Sequence, residues 1–446
     1  MGVSETPDRL SRTGSPSAAA HPSASSVRAV PIGALDSPWL RAQSRIALGR
    51  LDLPSLSDLR AAFVELAALG ERTRAGFTLG PSARHWLFDP HRLGELAEQV
   101  VVERDPGPVA GQDEVLFGGL SELLESIEVD NTTAAHFTRA GDTLVFVQNH
   151  GLGDAQLAFQ LPSALVAIAR GQQPPAWTGA PLIAHPLWRA VTHSVRPGRN
   201  PLAGLWRDRA SAPRGERVTG RTLSADWTPT PRTAFRSLSR ESWQEVKAWR
   251  TQYAPQASLA SLHLVILRQA LSAAGIAITP ETIVLYDCRR YLPGREQVRG
   301  NFVIARSQRL GEDPESVSST LAHSLDSAQP LAGLIAATAK NALRRPRTHH
   351  EQPQHVDAEC LPAFVFPPRS AELEAMPWQP GGPRCMAVSS GPPRANAVTA
   401  TMFLLGGRLS TSICYHPDVI ADTAVHAAIA LMDHHPIALL ERSLSA

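Results

Sequence analysis

In "SLSDLRAAFVELAAL" the apolar residues Leu59, Phe63, Leu66 and Leu69 recur every third or fourth position behind a Ser/Asp start, which predicts an amphipathic helix. "DEVLFGGLSELLESIEV" predicts a second helix. The pattern then changes: "GDTLVFVQ" opens on a turn pair and runs through Leu144, Val145, Phe146 and Val147 without a polar break, as a short buried strand does. In the following "DAQLAFQLPSALVAIARG", Asp154 is placed to cap a helix and Gly171 to end it. Pro162 is expected to kink or split that helix, because it lacks an N–H and crowds the preceding turn.

The same alternation returns in the second half. "RTAFRSLSRESWQEVKAWR" reads as a strand and then a helix with Ser239 as its cap, and "ASLASLHLVILRQALSAAG" as a long helix ending at Gly275. "ETIVLYDC", "LPAFVF", "CMAVSS", "AVTATMFLLGG" and "RLSTSICYH" read as strands, with "VIADTAVHAAIALMDHH" as the closing helix. Alternating strands and helices predict an α/β class with mixed sheets, and no fixed-period repeat is visible. Residues 171–232 are rich in Pro, Arg and Trp and read as a connection laid over the surface, while "RRPRTHHEQPQHVDAE" is a low-order stretch. The organisation expected is a disordered Ser/Ala/Pro-rich tail (1–27), an N-terminal lobe (28–205), an inter-lobe connection (206–232) and a C-terminal lobe (233–446).

Composition narrows the function classes. A chain of 446 residues is long enough for two lobes, and 43% hydrophobic with 19% charged residues is the balance of a soluble globular protein. A net charge of +2 provides no electrostatic case for nucleic acid or an anionic membrane. No stretch approaches a membrane span, and the N-terminus lacks the apolar core of a signal peptide. Gly2 and Thr6 fit a loose myristoylation pattern, but the segment reads better as a tail. Of 43 basic residues only Lys247 and Lys340 are lysine, a bias of GC-rich, bacterial genomes. Cys288, Cys360, Cys385 and Cys414 form no Cys-x-x-Cys pair, which excludes a recognisable zinc motif and fits reduced thiols in the cytoplasm. His349, His350 and His355 cluster in a polar loop without a carboxylate or thiolate at ligand spacing, so no metal is expected.

Where the buried strand ends, the chain reads "VQNHGLGDAQ", with His150 and Asp154 in a His-x-x-x-Asp spacing. Spacing alone decides nothing, because "HWLFD" repeats it at His85 and Asp89 in a stretch that reads as loop and helix start. What gives the first pair weight is its setting, between a buried strand and a capped helix. The alternative for His150 is a satisfied, inert histidine at a strand end, and for Asp154 a plain helix cap.

Several stretches together resemble the chloramphenicol acetyltransferase-like superfamily, which includes nonribosomal peptide condensation domains. The signature His-His-x-x-x-Asp-Gly at a strand end is similar to "NHGLGDA", with Asn149 and Ala155 in place of the first His and the Gly. "LYDCRRYLPGREQVRGNFV", "MAVSSGPP" and "GGRLSTSICYHPDVI" resemble later segments of the same superfamily, the second of them a strand and turn of its C-terminal lobe, and the matches fall in order. The resemblance implies two similar α/β lobes in a V, mixed sheets with flanking helices, and a tunnel reaching His150. It implies an acyltransferase in which His150 accepts the proton of an amine or hydroxyl as it attacks an acyl thioester, forming an amide or ester in specialised-metabolite or lipid biosynthesis.

The thioester would be carried on the phosphopantetheine of an acyl or peptidyl carrier protein, or on coenzyme A, with no bound cofactor. Asn149, Asp154 and Arg289 would support the site, Asp154 as a buried carboxylate gripped by Arg289, with Arg290 as the fallback. Gly153, Ala155, Asn301, Ser389 and Ser390 are the candidates for oxyanion or substrate contacts, including backbone N–H groups at the start of the helix after Asp154. Two other readings stay open: a noncatalytic module that recruits a carrier protein or partner enzyme, and a related cyclisation or dehydration on a tethered intermediate.

Overall fold

The computed structural model describes residues 27–105, 113–195, 220, 222–224, 226–295, 298–343 and 356–445. Most of the 206–232 connection and the cluster of His349, His350 and His355 lie outside the described residues. Two sheets organise the molecule. A five-stranded sheet runs in the order Cys385–Ser389, Gln43–Gly49, Thr143–Asn149, Ala135–Ala140, Val101–Glu103, antiparallel except at its last junction. A six-stranded sheet runs Val303–Arg309, Glu281–Asp287, Leu361–Val365, Ala397–Leu405, Arg408–Tyr415, Arg232–Ser237, with Leu361–Val365 parallel to both neighbours. A small antiparallel sheet joins Arg28–Pro31, His85–Phe88 and Phe77–Leu79. Helices flank the two large sheets, each of which backs its own hydrophobic core, so the fold is two-lobed mixed α/β.

The amphipathic pattern finds its place. Leu56–Ala68 is a helix capped by the Ser55 side chain, and it buries Leu59, Phe63 and Leu66. Every residue of the strand Thr143–Asn149 is buried, which is why its sequence shows no alternation.

Four sequence expectations need correction. Pro162 does not split its helix: Ala155–Ala169 is one element, buried on almost all sides, and packing of those apolar faces outweighs the cost of the missing donor. "HWLFD" is not loop and helix start, since His85–Phe88 is the central strand of the small sheet, with Asp89 capping a short 3-10 turn beyond it. "VIADTAVHAAIALMDHH" does not close the chain, because Asp422–His434 is followed by a further helix, Pro436–Leu444.

The fourth correction concerns the route of the chain between lobes. Cys385–Ser389, whose sequence resembles a C-terminal-lobe strand, pairs antiparallel with Gln43–Gly49 and becomes the edge of the five-stranded sheet. On its other side the crossing strand stays tied to the six-stranded sheet, where Val388 N–H donates to Ser412 Oγ at 3.0 Å. A third apolar cluster, including Cys288, Tyr291, Leu292, Phe302, Leu331 and Leu334, gathers segments from the second half next to Ala190 of the first. All four cysteines are buried, and none of them is in a disulfide. Among the described residues no helix is long and apolar enough to cross a membrane.

Candidate functional site

The strand Thr143–Asn149 delivers its last residue into a 3-10 turn, His150–Leu152, and Asp154 then caps the helix Ala155–Ala169. This turn is pinned from several directions. Asn149, where the superfamily signature has its first His, is buried; its amide donates to the carbonyls of Leu40 at 2.9 Å and Asn131 at 3.0 Å, and its Oδ1 accepts from Gly151 N–H at 2.9 Å. Asparagine thus offers donors and an acceptor at once, a pattern a histidine cannot reproduce in full. A Cβ on Gly151 would come within 2.6 Å of Leu40, and one on Gly153 within 2.9 Å of Leu157, so both positions lack room for a side chain.

Asp154 does two jobs. Its Oδ1 accepts from Gln156 N–H as a helix cap, and both oxygens receive Arg289: Nη1 to Oδ2 at 2.9 Å, Nη2 to Oδ1 at 3.1 Å. Phe302 N–H adds a third donor at 3.0 Å to Oδ2. The pair is deeply buried, at 4% side-chain exposure for Asp154 and 9% for Arg289. Burial works against the Arg289 charge, but the carboxylates of Asp154 and Asp287 overcome it and raise its pKa. Arg290, the fallback partner, points out to solvent. The fork-on-fork geometry joins the second half of the chain to the turn that carries His150.

Asn301 makes the second tie. Its Nδ2 donates to His150 O at 2.8 Å and to Asp36 Oδ1 at 3.0 Å, and its backbone N–H donates to the same Asp36 oxygen at 2.7 Å. Neighbouring Gly300 has φ +98°, and a Cβ there would sit 2.9 Å from the Asp36 carboxylate. Burial raises the Asp36 pKa against the pull of Arg74, whose Nη1 lies 3.6 Å from Asp36 Oδ2 and also donates to Leu152 O.

The His150 ring itself is half-buried and stacks on Trp39, with centroids 4.5 Å apart and planes 20° from parallel. Its Nδ1 is buried without a partner in hydrogen-bond geometry. Desolvation lowers its pKa below 6.5; its own carbonyl, Asp154 and Asn301 oppose this without reversing it. At neutral pH the imidazole is therefore neutral and able to accept a proton.

The other sequence candidates fall differently. Of the N–H groups at the helix start, that of Gln156 is spent on Asp154, so it is not a donor for an oxyanion. Gly153 uses its carbonyl to accept from Gln148 Nε2 at 2.8 Å. Ser389 stands opposite Arg45 in the five-stranded sheet, and its hydroxyl meets Cys414 Sγ at 3.5 Å rather than the His150 turn. Ser390 follows it beyond the strand's end, and Ala155 begins the helix. Sequence reasoning missed Trp39, Asp36 and Arg74. The available signal was "LDSPW", an aromatic residue on a polar Asp-Ser-Pro turn where no apolar period calls for one. Among the described residues no group of three or more His, Cys, Asp or Glu could hold a metal ion.

No protein-family model matches the chain, and no curated protein sequence matches it. Solved structures do. The condensation domain of the Monacolin K polyketide synthase MokA superposes with a TM-score of 0.58 at 13% identity, over 94% of this chain and 98% of that one. TRI3 trichothecene 15-O-acetyltransferase from Fusarium sporotrichioides gives 0.52 at 12% identity, covering 94% of each chain. The epimerization domain of the third module of tyrocidine synthetase B gives 0.52 at 11% identity, over 94% and 99%. From one end of its described length to the other, the chain has the two-lobed fold of condensation domains and chloramphenicol acetyltransferase-like acyltransferases.

Proposed function

We propose that the protein is a condensation-type acyltransferase that moves an acyl group from a thioester to an amine or hydroxyl. The observation that carries this reading is the half-buried, neutral His150 on a turn clamped across the lobes by the Asp154–Arg289 fork and by Asn301. The acceptor N–H or O–H approaches the imidazole nitrogen left open once Nδ1 is walled in, and His150 takes its proton as the heteroatom attacks the thioester carbonyl. The tetrahedral intermediate collapses, the carbon–sulfur bond breaks, and the proton passes from His150 to the departing thiolate. The products are an amide or ester and a free thiol, and Asp154 acts as the structural partner of Arg289 throughout.

The donor is a thioester on the phosphopantetheine of a carrier protein or on coenzyme A, and the acceptor is a small amine or alcohol from specialised-metabolite or lipid biosynthesis. Fold likeness supports the class, since one neighbour is by its name an acetyltransferase. Another is an epimerization domain, so the fold hosts more than one reaction and the site must carry the choice. The aromatic cover over His150 favours a second reading, a noncatalytic module that binds a carrier protein. A panel of acyl thioesters with amine and alcohol acceptors, followed by mass spectrometry beside a carrier-protein pull-down, separates the two. New amide or ester is the expected result, and carrier binding without turnover on any pair would overturn it.

A further inference from the structure

Next to the His150 turn lies a cavity of about 750 Å³ whose walls come from both halves of the chain. Its apolar lining includes Leu35, Leu187, Val191, Val298, Phe302 and Ile335, with Trp188 standing exposed among the wall residues. The volume falls within the range of small-molecule sites. Two of its charged neighbours, Asp36 and Arg299, are already committed, while His185 on the same wall is exposed. Asp36 is held by Asn301 and Arg74, and Arg299 donates to the carbonyls of Arg72 and Trp177 while its guanidinium lies 4.7 Å from the Trp177 ring centroid. Thr338, the hydroxyl on this wall, donates to Leu334 O at 2.7 Å.

With the two charges and the hydroxyl turned to protein partners, the pocket leaves the exposed His185 among aliphatic and aromatic surface, a lining that favours an apolar ligand over a phosphate or a polar sugar. His150 is not on the wall. Asn301 and Asp36 are, and Asn301 donates directly to the His150 carbonyl, so the cavity ends one side chain from the imidazole's own backbone.

We propose that this cavity binds a neutral, apolar chain or ring system forming the body of one substrate, held so that its reactive end reaches His150. The inference rests on the acyltransferase reading for the word substrate, and its test does not need turnover. The same chemistry is present in the acyl chain of a thioester donor and in the hydrocarbon of an alcohol acceptor, so both are tried.

The test is calorimetric binding to the full-length protein of octanoyl-N-acetylcysteamine thioester, 1-octanol and, as a short control, acetyl-N-acetylcysteamine thioester. Val191→Trp and Ile335→Trp, each filling the cavity from a different helix, are compared with wild type after thermal melting shows that they fold. At least one octyl probe should bind at least about tenfold more tightly than the acetyl control and lose about tenfold or more in a folded filled variant. Loss for the thioester assigns the cavity to the donor's chain, and loss for octanol assigns it to the acceptor. Failure of both octyl probes to bind wild type, or binding unchanged in the filled variants, overturns the inference. Binding lost in those variants, by a wild-type protein that transfers no acyl group, would sink the acyltransferase reading and leave the apolar site standing.

Discussion

At the scale of single residues, the His150 ring is buried at Nδ1 without an orienting hydrogen bond there and is stacked on Trp39. A working imidazole is usually held by a bond on the nitrogen away from the substrate. Here the contact that orients the ring is the Trp39 indole face, and that same face excludes water. In the proposed reaction Trp39 is a positioning residue, and its effect has a sign. With burial holding the His150 pKa below 6.5, the neutral base is present at neutral pH and is lost only as pH falls through that lowered value. Trp39→Ala admits water and moves the pKa up toward 6.5, so the acid limb of the rate profile shifts to higher pH, while Trp39→Phe retains most of the wild-type limb. NMR titration of the His150 ring checks this without substrate: an unchanged pKa in Trp39→Ala would show that the indole does not control it.

At the scale of elements, the site is a joint between a strand-turn-helix unit of the first half and the segment around Arg289–Phe302 of the second. The Asp154–Arg289 fork is its strongest tie, and its removal is predicted to be one-sided in cost. Arg289→Ala leaves a buried carboxylate with two N–H donors and no countercharge, which should lower stability by about 3–5 kcal/mol. Arg289→Lys keeps the charge but loses the fork, and should fall between. Urea denaturation measures both, and an alanine variant within about 0.5 kcal/mol of wild type would show that the pair does not hold the turn. The parts of this joint are legible in the sequence because each is local, a buried run ending at Asn149, an Asp at a cap position and an Arg directly after a strand, but the pairing of Asp154 with Arg289 comes from the family resemblance. Pro162 is not, since its effect depends on how completely the helix is buried, which no window around residue 162 records. Trp39 and Asp36 are equally hidden, because their partners, His150 and Asn301, lie far along the chain.

At the scale of the whole molecule, two sheets with their own main cores are joined by a strand that leaves the second half to complete the first sheet, and by the ties around Arg289 and Asn301. The pattern of "CMAVSS" predicts the strand but not its neighbour, since pairing with Gln43–Gly49 is a long-range choice made by the folded core. The alternation of elements that predicts the α/β class reflects local periodicities and survives in the structure almost unchanged. The central claim is that this architecture exists to present one neutral imidazole to an acceptor and a thioester. It is tested most directly by His150→Ala in the full chain, with a donor and acceptor pair that the wild-type protein joins. The account predicts turnover lower by about 10²–10⁴-fold, with an unchanged urea midpoint. Wild-type turnover by that folded variant would contradict it.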